Sequence, residues 1–372
     1  MRILKDKIKY IVTIFISAAL VFGLGGWFLF KTPSTYSEAE RRALKLLPEF
    51  SFESVFSGEF MAEFDDNSPD QFPLRDLFRS IKAYTAKYVF GRLDNNNIIT
   101  AGDHLSKHDY VINENKIDEA ADKIGFIYES YLSNTDAKVY LSVVPDKNCF
   151  IAEENGFLAY DYDEFAKKLY TKTPFATYVD VKPLLGAEDY YTTDTHWKQE
   201  NIIDVAHKLC TSMGAEFDDT FKENIVEQPF YGVYYHQSAL SVPTDKLIYL
   251  TSDIIDGAVV TNFDSGMPVK KPVYDMKKLD TPDIYEIFLS GTVALSVIEN
   301  PAATEKRELI LFRDSFGSSI APLMINSYSK ITLVDIRYVS PSILSQLVDF
   351  GSADDVLFLY STVFLNSFVA LD

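Results

Sequence analysis

The chain has 372 residues and a mass of 42.2 kDa, with 47% hydrophobic and 24% charged residues, 16 Gly and 15 Pro. That is the composition of one large or two modest globular domains, and it excludes collagen, low-complexity disorder and a polytopic membrane protein. A net charge of −19 argues against nucleic acid as a partner, and two cysteines cannot build a disulfide framework or a Cys-based structural zinc site.

Charge is unevenly spread. Residues 1–31 carry Arg2, Lys5, Lys7, Lys9 and Lys31 against Asp6, a net +4, which leaves −23 for the remainder. From Tyr10 to Phe30 there is no charge at all, and these residues as a helix measure about 31 Å, the thickness of a hydrocarbon core. Basic residues ahead of this stretch keep residues 1–9 in the cytoplasm and send the rest outward. A cleaved signal peptide has a shorter apolar region and a small-residue exit, whereas this exit reads Gly26-Trp27-Phe28-Leu29-Phe30-Lys31. The expectation is an uncleaved single-pass anchor in a bacterial cytoplasmic membrane, with an extracytoplasmic C-terminal domain. Whether Cys149 and Cys210 pair there or remain two buried thiols is left open by spacing alone.

Four segments follow: a cytoplasmic tail at 1–9, an anchor at 10–30, a membrane-proximal helical or stalk segment at 32–110, and a main domain at 111–372. In the third, 74–90 reads as helix, 98–102 as a short strand and turn, and Pro69, Pro73 and Asn95-Asn96-Asn97 punctuate it. The main domain opens with a helix over 115–133 and a β-branched strand over 138–144 that stops at Pro145. An amphipathic helix is predicted over 199–213, then several short strand-like runs between 220 and 300. The end is the most legible part: strand 308–312, helix 317–326, strand 331–336, helix 340–350, strand 355–360. Near-continuous apolar strands alternating with helices predict an α/β domain built on a doubly wound parallel sheet. Ligands in such sheets bind outside the carboxyl ends of the strands.

The residues at those ends are therefore the candidates. Lys147 follows the strand at 138–144, Arg313-Asp314-Ser315-Phe316-Gly317 follows 308–312, Arg337-Tyr338 follows 331–336, and Ser361 follows 355–360. A serine on a tight strand-to-helix turn presents its hydroxyl at the sheet edge, and the amides of Phe316 and Gly317 would face an oxyanion formed there. The bland alternative is that Asp-Ser before Gly is a helix N-cap. A serine nucleophile needs a base. Of five histidines, His196 alone sits in a suggestive setting, Thr193-Asp194-Thr195-His196-Trp197. In extended chain, residues i and i+2 share a side, so Asp194 can fix the His196 tautomer and leave the second ring nitrogen for a serine. Asp-x-His also arises by chance, and a zinc site on Asp194 and His196 lacks a third ligand. No metal or other cofactor is needed by this chemistry. Tyr190, Tyr191, Tyr231, Tyr234 and Tyr235 could stack on sugars, or simply cover a core edge.

Several stretches in order carry a resemblance: Tyr36–Leu44, Leu47-Pro48-Glu49-Phe50, Asp70–Asp76, Pro145-Asp146-Lys147, Thr193–Trp197, Arg313–Gly317, Val334–Tyr338 and Asn366. Together the chain resembles the DHHW family of bacterial surface proteins, related to the SGNH-hydrolase-like domains of alginate O-acetylation proteins. The resemblance implies a flavodoxin-like SGNH fold in which the Asp-x-His element precedes the serine, the reverse of ordinary SGNH hydrolases. Carried over by position, Ser315 is the nucleophile, His196 the base and Asp194 the orienting acid. Phe316, Gly317, Arg313, Lys147, Arg337 and Tyr338 are expected to line the oxyanion and substrate side. The chain departs from the family at Thr195, where the name motif has His, and at Arg313, where glycine is usual.

The function expected is a membrane-anchored serine O-acetyltransferase or acetylesterase acting on a cell-surface polysaccharide through an acetyl-serine. The resemblance suggests a membrane-bound acyltransferase as acetyl donor. The alternative is a non-catalytic scaffold or glycan-binding component of a surface-polysaccharide assembly.

Overall fold

The computed structural model describes residues 2–37, 40, 42–263 and 267–371. Glu38, Ala39 and Arg41 of the Tyr36–Leu44 motif lie outside the described residues. The chain divides into two compact units, Met1–Asn95 with His236–Ser241, and Asn96–Tyr235 with Val242–Asp372.

The first unit is helical. Helix α1 (Arg2–Phe30) is long and apolar enough over Lys7–Phe30 to cross a membrane, and none of that stretch is buried in the protein. Short helices follow: α2 (Phe52–Ser57), α3 (Glu59–Gln71) and α4 (Arg75–Tyr84). Ser51 caps α2 by accepting the Ser54 N–H at 3.0 Å, and Gly58 ends it in the left-handed region at φ 84°.

The second unit is built on an eight-stranded sheet. Its strands are β1 (Lys138–Val144), β2 (Thr177–Tyr178), β3 (Val259–Asn262), β4 (Val269–Lys271), β5 (Leu295–Glu299), β6 (Glu308–Arg313), β7 (Lys330–Val334) and β8 (Asp355–Ser361). They lie in the order β4-β3-β5-β7-β6-β8-β1-β2. From β7 to β2 all pairs are parallel, whereas β5, β3 and β4 are added antiparallel at the β7 edge. The short runs between 220 and 300 thus supply three antiparallel strands to the predicted parallel sheet. Counted from β6, the parallel block runs 2-1-3-4-5, the flavodoxin-like order. The chain enters that block at its fourth strand.

Strand periodicity explains the layers. In β6, Leu309 and Leu311 face one core with α7 (Ile203–Ser212) and α8 (Phe316–Met324), while Ile310 and Phe312 face a second core. Helices α5 (Glu114–Ile127) and α6 (Tyr162–Tyr170) cover that second face, joined by α9 (Thr362–Asn366). A strand buried on both faces must be apolar throughout, which is why the run 308–312 is legible in sequence.

Two predicted helices are shorter than their patterns. The 199–213 helix breaks into a 3₁₀ turn at Gln199–Asn201 and then α7. Buried Gln199 is committed elsewhere, donating to Ser319 O at 2.6 Å and accepting from Leu250 N–H at 2.7 Å. The 340–350 helix is two 3₁₀ turns, Pro341–Gln346 and Phe350–Ser352. Asp349 accepts the Gly351 N–H there at 3.1 Å, a local bond that competes with helix continuation.

Candidate active site

Strand β6 ends at Arg313, and α8 begins after two intervening residues. Between them Asp314 fixes the turn. Its Oδ1 accepts the Phe316 N–H at 3.0 Å, and its Oδ2 accepts the Ser361 N–H at 2.9 Å and hydroxyl at 2.6 Å. The turn after β6 is thus tied to the end of β8. These are strands 1 and 3 of the flavodoxin-like count, between which the strand order reverses and where such sheets bind ligands. Ser315 stands at that point, half-buried.

His196 meets it. Its Nε2 lies 2.7 Å from Ser315 Oγ, and its Nδ1 lies 2.6 Å from Asp194 Oδ1. A carboxylate can only accept, so Nδ1 carries the ring proton and Nε2 is left to accept from the serine hydroxyl. Asp194 Oδ1 also accepts the His196 N–H at 3.1 Å, and Oδ2 accepts the Val233 N–H at 2.8 Å. The carboxylate is fully buried and held at both oxygens.

The loop carrying Asp194 is gripped from two sides. Asp245 accepts the N–H groups of Thr192 and Thr193, each at 2.7 Å, and the Thr193 hydroxyl at 2.6 Å. Lys147 donates to the carbonyls of Tyr191 and Thr192 at 2.8 and 3.1 Å. Gly232 packs so closely that a Cβ there would stand 2.4 Å from Asp194 Cβ and from the Thr193 carbonyl. The imidazole itself is stacked on Tyr285, with ring centroids 3.9 Å apart and planes 6° from parallel. Tyr285 donates to Ser319 Oγ at 2.8 Å, and the Trp197 indole N–H donates to the same oxygen at 2.9 Å. Ser319 is one turn along α8 from Ser315, so a single helix positions both the serine and the backing of the histidine.

Ser315, His196 and Asp194 are thus brought together. The six residues expected to line the substrate side are not all on it. The Phe316 and Gly317 amides are occupied, by Asp314 Oδ1 and by Asp314 O at 3.1 Å, so neither is an open oxyanion donor. The aspartate that organises the turn takes the amides that a bare turn would leave free. Lys147 turns inward to the loop carbonyls and is fully buried. Burial brings its ammonium down to about 7, although Asp194 and Asp245 pull it upward. Arg313 lies beneath α8, where a Cβ on Gly317 would stand 2.5 Å from its Cβ. Its guanidinium reaches Asp314 O at 3.3 Å and Asp335 at 3.7 Å, with burial lowering its pKa. Arg337 forms a two-pronged pair with Asp335, at 2.8 and 2.6 Å, with its guanidinium over the rings of Tyr338 and Phe364. Tyr338 is exposed.

Asp245, Tyr285 and Gly232 escaped the sequence reading because each acts from a distant segment with no spacing signal. Tyr190, Tyr191 and Tyr234 are buried and offer no sugar platform, whereas Tyr231 is exposed and Tyr235 half-buried. Asn366 lies in α9 and binds Asn113, Val111 and Tyr160, tying the C-terminal helix down. Cys149 and Cys210 are both free: Cys210 sits in the core on the α7 face and Cys149 packs on the opposite one, so the sheet separates them. Burial pushes each thiol up to about 12.

The α/β fold is SGNH-hydrolase-like, and it holds a Ser-His-Asp chain at its switch point. The chain is similar to several solved structures. A DHHW family protein from Eubacterium siraeum superposes with a TM-score of 0.57 at 20% identity, covering 73% of this chain and 93% of its own. Bacillus cereus PatB1, in a structure with a sulfonyl adduct, gives 0.60 at 18% identity, covering 74% and 96%. The O-acetyltransferase domain of Pseudomonas putida AlgJ gives 0.44 at 12% identity, covering 73% and 92%. No family model matches the sequence, and no curated protein matches it either.

Proposed function

We propose that the protein is a membrane-anchored, extracytoplasmic serine enzyme that transfers or removes O-acetyl groups on a cell-surface polysaccharide. The observation that carries this reading is the unbroken Ser315–His196–Asp194 chain, with bonds of 2.7 and 2.6 Å. Ser315 Oγ attacks the acetyl carbonyl as its proton passes to His196 Nε2. The imidazolium, facing Asp194, then protonates the departing alcohol oxygen and leaves an acetyl-Ser315. A sugar hydroxyl or water attacks that ester, gives its proton to His196, and the proton returns to Ser315. Acetyl as the acyl group, and a membrane-bound acyltransferase as its donor, rest on the motif resemblance to alginate O-acetylation proteins.

One observation favours the alternative of a non-catalytic scaffold or glycan-binding component. The amides at the start of α8 are already bonded, which removes two oxyanion donors. The Ser315 N–H has no hydrogen-bond partner among the described residues and is the donor the enzyme reading uses.

The test compares full-length wild type with Ser315→Ala, using a chromogenic acetyl ester and a sulfonyl fluoride. An enzyme turns over the ester and gains one sulfonyl group on Ser315 by mass, and the variant does neither. Acetyl groups on the host's surface polysaccharide fall in a Ser315→Ala strain. An unchanged acetyl count there, with a folded wild type inert to both reagents, assigns the scaffold role instead.

A further inference from the structure

The membrane-proximal helices are built inside out. In α4, Arg75 and Arg79 are sheltered beside the buried Ala83, with 15% and 14% of their side chains exposed, and Leu77, Phe78 and Ile81 face outward. Arg75 pairs with Glu40 and lies 3.2 Å from buried Asp70, Arg42 binds Asp70 at 2.7 and 2.6 Å, and Arg79 stands 3.4 Å from Glu40. Arg79 also donates to the carbonyl of His236 at 3.2 Å. A helix in water puts its charges out and its leucines in. Here an ion-pair cluster forms the inside and the apolar face is left uncovered.

That uncovered face is continuous with α1. Phenylalanine rings touch in one connected series: Phe52 on Phe50 at 5.6 Å, Phe50 on Phe60 at 5.9 Å, and Phe60 on Phe64 at 6.0 Å. The series continues from Phe64 to Phe28 at 5.9 Å, from Phe28 to Phe72 at 6.1 Å, and from Phe72 to Phe78 at 5.6 Å. Phe28 belongs to the last turn of α1, beside Trp27, where a spanning helix leaves the hydrocarbon. The rest of the series therefore lies at interfacial depth, not far out in water. Phe52 and Phe56 are 74% and 87% exposed, and Ile81 51%, too much large apolar surface in one place for a solvated face.

We propose that α2, α3 and α4 form an amphipathic collar whose apolar face lies in the outer-leaflet interface of the bilayer that α1 crosses. The occupant is lipid, because the face is an unbroken extension of a helix end that is itself at the interface, and because its charges are neutralised inward. This inference rests on the membrane-anchor reading above.

The test uses full-length protein with p-benzoyl-phenylalanine placed singly at Val21, Phe56, Ile81 or Glu305. Each variant is reconstituted into phosphatidylethanolamine–phosphatidylglycerol vesicles, irradiated and read by intact mass, and is irradiated in native membranes in parallel. The expected result is a mass shift of one phospholipid at 21, 56 and 81 and none at exposed Glu305. A lipid adduct at 21 with none at 56 and 81 overturns the collar and leaves the anchor standing. Absence at all three refutes the anchor reading itself. Protein adducts at 56 and 81 in native membranes, in place of lipid, overturn the lipid assignment and give the face to a protein partner.

Discussion

Lys147 shows how much structure stands behind a two-residue Asp-x-His spacing. Its ammonium is enclosed, donates to two carbonyls of the His196 loop, and lies over the Tyr234 ring at 5.2 Å. Enclosure in a poorly polarisable site disfavours the charged form, so the folded pKa falls to about 7 while the unfolded chain keeps the ordinary value near 10.4. Between those values the unfolded state holds a proton that the folded state lacks, and stability therefore climbs with pH across that window. The slope is at most about 1.4 kcal/mol per pH unit for one proton. Lys147→Met removes it. Urea unfolding at pH 7 and pH 10, followed through Trp197 fluorescence, should show wild type gaining on the variant as pH rises. Parallel curves for the two proteins would refute the assignment.

Between the residue and the fold lie the elements that make the loop rigid. The Gly232 segment and the Asp194 segment touch at backbone distance, and only a glycine permits it, since any Cβ meets Asp194 and Thr193 at 2.4 Å. Gly232→Ala must push the loop aside. Overpacking of this kind typically costs about 1–3 kcal/mol, and here the displacement falls on the Asp194–His196 bond. We expect the variant to fold, with a lowered melting temperature and acetyl-ester turnover reduced further than stability alone accounts for. Turnover equal to wild type with an unshifted melting temperature shows that the loop has slack. The same level explains what could be read in advance. Strands β1, β6, β7 and β8 announce themselves because burial on two faces forces apolar runs. The Asp194–His196 pair is legible because it is local. Asp245, Gly232 and Tyr285 reach the site from segments 38 to 91 residues beyond Asp194, across irregular chain, and no periodicity marks them. The occupied amides at α8 are hidden for another reason, since the sequence shows Asp314 beside Ser315 but not which N–H its carboxylate accepts.

At the scale of the whole molecule, the strand order accounts for the motif order. Counted from β6, the serine follows strand 1 and the Asp-x-His loop follows strand 5, which is β2. Because the chain enters at strand 4, the last loop of the sheet is synthesised before the first, and Asp194 and His196 precede Ser315. The reversal is thus a shift of the chain's starting point within an unchanged sheet. The N-terminal apolar helix, part of the first unit, precedes strand 4 in sequence. In the anchor reading, orientation depends on the few charges ahead of the uncharged stretch at 10–30. Arg2, Lys5, Lys7 and Lys9 lie within the first nine residues, whereas acidic residues contribute little to the rule. The reading of an outward C-terminal domain predicts that protease added to intact spheroplasts removes a C-terminal epitope while a cytoplasmic control protein survives. Replacing Lys5, Lys7 and Lys9 together by Gln should leave a protected fraction, as some chains insert the other way. An epitope protected in wild type until the cells are lysed places the Ser315 site in the cytoplasm, out of reach of any surface polysaccharide, and with it fails the proposed substrate.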